Sequence, residues 1–241
     1  MWFDSHFHLN GLAKGWQSDS IDGGLAVSID IDDWQVTQQR LLALSGDWRQ
    51  AIGFHPWIVR ESLPWSELES WLIDYECLSV GEIGLDGSPA RRSNAQLQWN
   101  AFERQVSLAR QYRRVMSLHL VHDNERGYQL LKQHKDSRVI VHGFTGSLQQ
   151  ALRWQELGFY IGVGERLLYR ITDKRQQLLQ GLDWSFILLE TDSPYSMTQH
   201  DVSTPDTIPI LAQILALSWD VSISDVEMIC QKNWLTLWGD K

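Results

Sequence analysis

Asp4-Ser5-His6-Phe7-His8 sets two imidazoles two residues apart. In an extended chain alternate side chains share one face, so His6 and His8 point the same way. Neutral imidazole is the commonest transition-metal ligand, and two converging rings supply part of a metal site. Further candidates recur along the chain, each just after a short apolar run. They are His55 in Gly53-Phe54-His55-Pro56, Glu82 in Gly81-Glu82-Ile83-Gly84-Leu85-Asp86, His119, His142, and Asp192 in Glu190-Thr191-Asp192. Nitrogen and carboxylate donors without thiolate suit Zn²⁺, Mn²⁺, Fe²⁺ or Ni²⁺, with Co²⁺ and Mg²⁺ also candidates, although Mg²⁺ prefers oxygen and water. The donors suffice for one or two divalent ions. Two ions about 3.5–4 Å apart can share a hydroxide and clamp the attacking and leaving oxygens of a displacement. Glu82, midway between the early and late histidines, is the natural bridge, and Asp192 can act both as ligand and as base toward a nucleophilic water.

Such residues meet only if the fold gathers them. Apolar strand-like runs at 1–3, 24–29, 50–54, 78–81, 115–118, 139–141, 159–163 and 186–189 alternate with helical patterns near 34–44, 64–75, 94–112, 125–134, 148–157 and 172–180. Two more helical stretches, near 207–217 and 224–238, close the chain. Continuous apolar strands separated by helices imply a parallel sheet covered on both faces. Eight repeats fit an α/β fold of the (β/α)8 TIM-barrel type, in which every strand C-terminus opens on the face that carries active sites. No Pro- or Gly-rich linker divides the chain, so residues 1–241 read as one domain.

Composition narrows the function. At 43% apolar and 21% charged residues, a sizeable core is available. A net charge of −9 weighs against sequence-independent binding to long duplexes, which needs many Lys and Arg contacts to phosphate. It does not exclude a phosphate-bearing substrate, because bound cations invert the local field. Basic groups at Arg91-Arg92, Arg110, Arg113-Arg114 and Arg166-Arg170-Lys174-Arg175 read as solvated faces. Cys77 and Cys230 form no Cys-x-x-Cys pair and read as small buried hydrophobes in a reducing compartment. No signal-peptide pattern or membrane-length apolar run is present, so a cytoplasmic protein that engages no membrane is expected.

Taken in order, the six segments around Asp4–His8, His55, Glu82–Asp86, His119 (Ser117-Leu118-His119), His142 (His142-Gly143-Phe144-Thr145-Gly146) and Glu190–Pro194 are similar to the successive signatures of the TatD-like metal-dependent hydrolases, a family of DNases. The resemblance spans almost the whole chain. It implies a barrel of the amidohydrolase type and metal-dependent hydrolysis of phosphoester bonds, with DNA or a small phosphoester as substrate and no obligatory protein partner. Carried over by motif, His6, His8, Glu82 and Asp192 would hold one metal and Glu82, His119 and His142 a second. His55 would line the pocket and face the scissile phosphate, giving Asp192, Glu82 and His55 as the catalytic set. Three positions depart from the family pattern: Val121 stands where many members have Arg, Ser203-Thr204-Pro205 replaces Asn-Glu-Pro, and Glu165 replaces a glycine and adds negative charge near the mouth.

Asp4 suits a role orienting a ligand histidine, and Asp86 suits a structural role as well as a functional one. His122 reads as exposed or structural, and His134 and His200 as unconnected with the site. The long 195–209 segment is expected to shape the pocket. The tryptophans in helical stretches (34, 65, 71, 99, 154, 234 and 238) read as packing rather than base-stacking platforms. Two other readings stand beside a phosphodiesterase: a hydrolase of amides or lactones on the same barrel, and a non-catalytic barrel with a vestigial site.

Overall fold

A computed structural model describes residues 1–169, 171–196 and 203–239. Arg170, His200 and the middle of the 195–209 segment lie outside the described residues. Eight parallel strands follow one another around a nearly closed barrel in the order of the sequence: β1 (Phe3–Phe7), β2 (Gly23–Val27), β3 (Asp47–Ile52), β4 (Ser79–Asp86), β5 (Met116–Val121), β6 (Val139–His142), β7 (Tyr160–Val163) and β8 (Ile187–Leu189). Helices alternate with them: α1 (Ile31–Leu41), α2 (Trp65–Asp74), α3 (Ala95–Gln111), α4 (Asn124–Leu131), α5 (Leu148–Gln155), α6 (Glu165–Leu168), α7 (Asp173–Gly181), α8 (Ile208–Trp219) and α9 (Ile223–Trp238). The short α6 was not visible in the apolar periodicity. Side-chain caps explain several helix starts: Asp30 accepts from the Asp32 amide, and Ser147 and Ser222 form capping boxes with Gln150 and Asp225.

The first and fourth strands differ from the sequence reading. Residues 1–3 and 78–81 were expected to end before their polar neighbours, yet β1 runs through Phe7 and β4 through Asp86. In this barrel the polar side chains of β1 and β4 satisfy one another, so a polar residue need not terminate the strand. β5 likewise runs on to Val121 and β6 to His142, so His6, Glu82, His119 and His142 stand on strands rather than on loops.

Two apolar layers carry the barrel. The larger core joins the outward faces of the strands to helix residues such as Trp34, Leu68, Phe102, Trp154, Leu179 and Leu211. A separate cluster combines Phe3, Leu25, Val27, Ala51, Ile140, Tyr160 and Leu188 with Trp234 of α9. There Trp234 stacks on Phe3 at 4.9 Å and donates its indole N–H to Asp47. Trp34, Trp154 and Trp234 are fully buried, while Trp65, Trp71, Trp99 and Trp238 pack against the core from partly buried positions. Cys230 is buried, and that burial pushes its thiol up to about 12; Cys77 is exposed, contrary to the reading of both as core residues. Among the described residues no single helix is long and apolar enough to cross a membrane.

β1 and β8 meet just beyond the end of β8. The Asp192 amide donates to His6 O (2.9 Å) and the His8 amide to Ser193 O (2.8 Å). Asp4, fully buried, clasps the same seam by accepting from the amides of His6 (3.0 Å) and Thr191 (3.1 Å) and from the Thr191 hydroxyl (2.5 Å). Replacing Asp4 by Ala strands three buried donors and should lower the unfolding free energy by about 2–4 kcal/mol, with Asp4→Asn costing less because one acceptor oxygen remains. Urea denaturation of the two variants checks this ordering.

Candidate metal centre

β1, β4, β5 and β6 aim their polar side chains into one basin at the strand C-termini. Glu82 is at its centre, almost wholly buried, and its two oxygens face opposite ways. Oε2 is 3.4 Å from both His6 Nε2 and His8 Nε2; Oε1 is 2.7 Å from His119 Nδ1, 3.4 Å from His55 Nε2 and 3.7 Å from His142 Nε2. Asp192 Oδ1 lies 3.4 Å from His8 Nε2 and 4.0 Å from His6 Nε2. His6, His8, His55, Glu82, His119, His142 and Asp192 thus share one basin. His122 and His134 belong to none of its donor groups.

Among the described residues, three sets of donors are close enough to hold an ion: His6, His8 and Glu82; His6, His142 and Asp192; and His55, Glu82 and His119. Two donors each about 2.1 Å from a tetrahedral ion lie about 3.4 Å apart, which is the spacing seen around Glu82. His6 Nε2 is buried without a hydrogen-bond partner, as expected of a ligand nitrogen. The residues fit a divalent cation. The grouping differs from the motif-based one, since His142 stacks on His6 with ring centroids 3.4 Å apart and joins it with Asp192, while His55 stands beside His119.

The far nitrogens separate ligand from donor. His6 Nδ1 meets the buried Ser117 hydroxyl at 2.9 Å, His142 Nδ1 faces Glu190 Oε1 at 3.2 Å, and His119 Nε2 faces Asp86 Oδ2 at 3.6 Å. The carboxylates behind His142 and His119 favour the proton on that side and leave the inward nitrogen free to bind, while the Ser117 hydroxyl, able to accept or donate, holds the His6 ring in place. His55 has the reverse arrangement, because its Nδ1 accepts the Trp57 amide N–H at 3.1 Å. In the neutral ring the proton then sits on Nε2, facing the basin. Although close enough to Glu82 and His119 to complete a donor group, His55 is set up as an N–H donor.

Glu190, whose motif was visible in the sequence without a role attached, is held by close-fitting backbone. It accepts the Gly143 amide at 2.7 Å, and a Cβ on Gly162 would fall 2.0 Å from its Oε2. Gly162 and Gly164 clear space for this carboxylate. From α3, Gln105 bonds the Phe54 amide and carbonyl, and Gln98 bonds those of Asp86, fixing the chain beside His55 and the end of β4. Asp192 has φ +56°, a left-handed backbone that Asp tolerates better than most residues, and strain of this kind concentrates at functional sites. Glu165 does stand near the mouth, lining the pocket beside His142 and Asp192, where it is largely buried and accepts a hydrogen bond from Ser203 at 2.7 Å. Arg166, beside it, comes within 3.6 Å of Asp192 Oδ2.

Residues 3–239 match the family of TatD related DNases. The chain belongs to that family. A relative from Haemophilus influenzae, an uncharacterized metal-dependent hydrolase, is 30% identical over 214 residues, 80% of each chain. The 3'-5' ssDNA/RNA exonuclease TatD of Klebsiella pneumoniae is 29% identical over 187 residues, covering 73% of this chain and 68% of its own. The crystal structure of YjjV, a TatD homologue from Escherichia coli, superposes with a TM-score of 0.86 at 23% identity, over 100% of this chain and 98% of that one. This TatD-family chain is thus a metal-dependent hydrolase with the family's barrel.

Burial and charge set the protonation of the metal-free site. Burial lowers His6 to about 4. Burial opposes the charged form of His142 as well, but Glu190 outweighs it and pushes that ring up to about 10. His119 is raised too, by Asp86 and Glu82 acting against burial. At pH 7 the His142 ring carries an extra proton that must leave before its inward nitrogen can bind, so Zn²⁺ uptake should release protons and tighten as pH rises. Calorimetric titration in two buffers of different ionisation enthalpy measures the count; uptake without proton release would remove His142 from the ligand set.

Proposed function

We propose that the chain hydrolyses phosphodiester bonds at DNA ends or in small nucleotides, with one or two divalent ions held by His6, His8, Glu82, His119, His142 and Asp192. The observation that carries this reading is the Glu82 carboxylate, set between donor groups on both of its oxygens. Divalent cations held there supply Lewis acidity toward a phosphoryl oxygen and acidify a water.

The chain's own groups supply the rest. Burial would raise Asp192, but His8, His142 and His6 hold it down at about 2, so it is ionised at neutral pH and accepts the proton of the attacking water. His55 donates its Nε2–H to a phosphoryl oxygen, an interaction that strengthens as charge builds in the transition state. Arg166, partly exposed beside Asp192, supplies a positive charge that Val121 cannot. Asp86 and Glu190 keep their ligand rings in the binding tautomer, and Ser117 holds the His6 ring in place. The exonuclease name of the Klebsiella pneumoniae relative supports a nucleic-acid substrate.

The test is a panel of phosphodiesters and DNA oligonucleotides with Mg²⁺, Mn²⁺, Zn²⁺, Co²⁺ and Ni²⁺, beside amides and lactones. Glu82→Ala and Asp192→Ala should each lower kcat/KM on the best phosphodiester by about 10²–10⁴-fold. Inactivity on every phosphoester, variants matching the wild type, or a higher kcat/KM on an amide or lactone would overturn the reading.

A further inference from the structure

Trp57 follows the His55-Pro56 turn and, unlike the helical tryptophans, keeps 52% of its surface exposed. It is nonetheless anchored at the basin. Its ring is 5.1 Å from His55 and 6.1 Å from His119, close to perpendicular to both. Its indole N–H donates to Asp86 Oδ2, the same oxygen that faces His119. An exposed indole costs solvation unless something covers it, and this one is held in a fixed pose beside the catalytic groups rather than folded onto the core.

A charge accompanies it. The Arg91 guanidinium lies 4.9 Å from the Trp57 ring centroid. The Arg91 backbone is tied to the same framework, because Gln98 Nε2 donates both to Arg91 O (3.2 Å) and to Asp86 O (3.3 Å). An aromatic plate and a cation, both fixed to the end of β4, form one continuous rim beside His55.

We propose that Trp57 and Arg91 form a subsite for the nucleoside next to the hydrolysed ester, Trp57 stacking on its base and Arg91 pairing with its outer phosphate. This rests on the phosphodiesterase reading for its substrate class, but not for its readout. A substrate phosphate at His55 places its neighbouring group against the Trp57 ring, a few ångströms away. Stacking on an indole suits a planar base that is unpaired, and Arg combines cation–π contact with phosphate recognition.

The experiment measures equilibrium binding of thymidine 3',5'-bisphosphate and of its abasic counterpart, deoxyribose 3,5-bisphosphate, to the protein as isolated. In the wild type the base should tighten binding by about tenfold or more. Trp57→Leu should abolish that preference and Trp57→Phe retain most of it. Arg91→Gln should weaken both ligands alike and flatten their salt dependence. A merely structural role for Trp57, through Asp86 and His119, would weaken both ligands equally and leave the preference intact, which overturns the proposal. So does equal or absent binding of the two ligands by the wild type, or a preference kept in Trp57→Leu and lost in Tyr195→Leu, which removes the exposed ring 5.0 Å from His8. Tighter binding of a thymidylate trimer than of the bisphosphate assigns the subsite to a strand end; equal binding assigns it to a free nucleotide. If the base preference holds while no phosphoester is hydrolysed, the reaction assignment fails and the subsite stands.

Discussion

A carboxylate buried at the centre of the barrel sets the terms for everything around it. Burial alone would drive Glu82 toward its neutral form, and an isolated charge at such a depth costs several kcal/mol. The surrounding imidazoles reverse that preference: His55 and His6 electrostatically, and His119 and His55 through hydrogen bonds, hold Glu82 well below the usual carboxylate range. The arrangement works only if the rings arrive from different directions, because no single strand could present five nitrogens to two oxygens. β1 and the residue just past its end bring two, β5 and β6 one each, and the turn after β3 the fifth. The barrel is the device that makes this convergence cheap, since every strand ends at the same rim.

The parts of this design that use one residue type for one purpose were legible in the sequence. Histidines and acids after apolar runs, spaced by helical stretches, foretold both the eight-stranded barrel and the residues that share the basin. What stayed hidden were relations between distant residues. Glu165 and Ser203 each looked like an isolated departure from the family pattern, yet they are partners in one buried hydrogen bond. Gly162 and Gly164 carry no side chain to announce a role, yet it is that absence which makes room for Glu190. The tautomer of His55 depends on the Trp57 backbone N–H, a group every residue but proline possesses, so no residue type announces it. The ends of β1 and β4 were misjudged because polarity was taken as a sign of solvent. Here it marks the inside of the barrel.

The basin itself is acidic. Glu82, Asp86, Glu190 and Asp192 lie within reach of its histidines, while the chain carries a net charge of −9. Burial would raise Asp86, but His119, Ser88 and Trp57 hold it far below its ordinary value, so that carboxylate stays ionised. A phosphodiester approaching this set without a cation meets repulsion of like charge, with Arg166 and Arg91 at the rim as opposing charges. Divalent ions reverse the sign of the field at the point where the substrate's charge must sit. The acids that orient the ligand rings therefore also set the field that a bound cation reverses, while Arg166 and Arg91 at the rim attract an anion whether or not the cation is present.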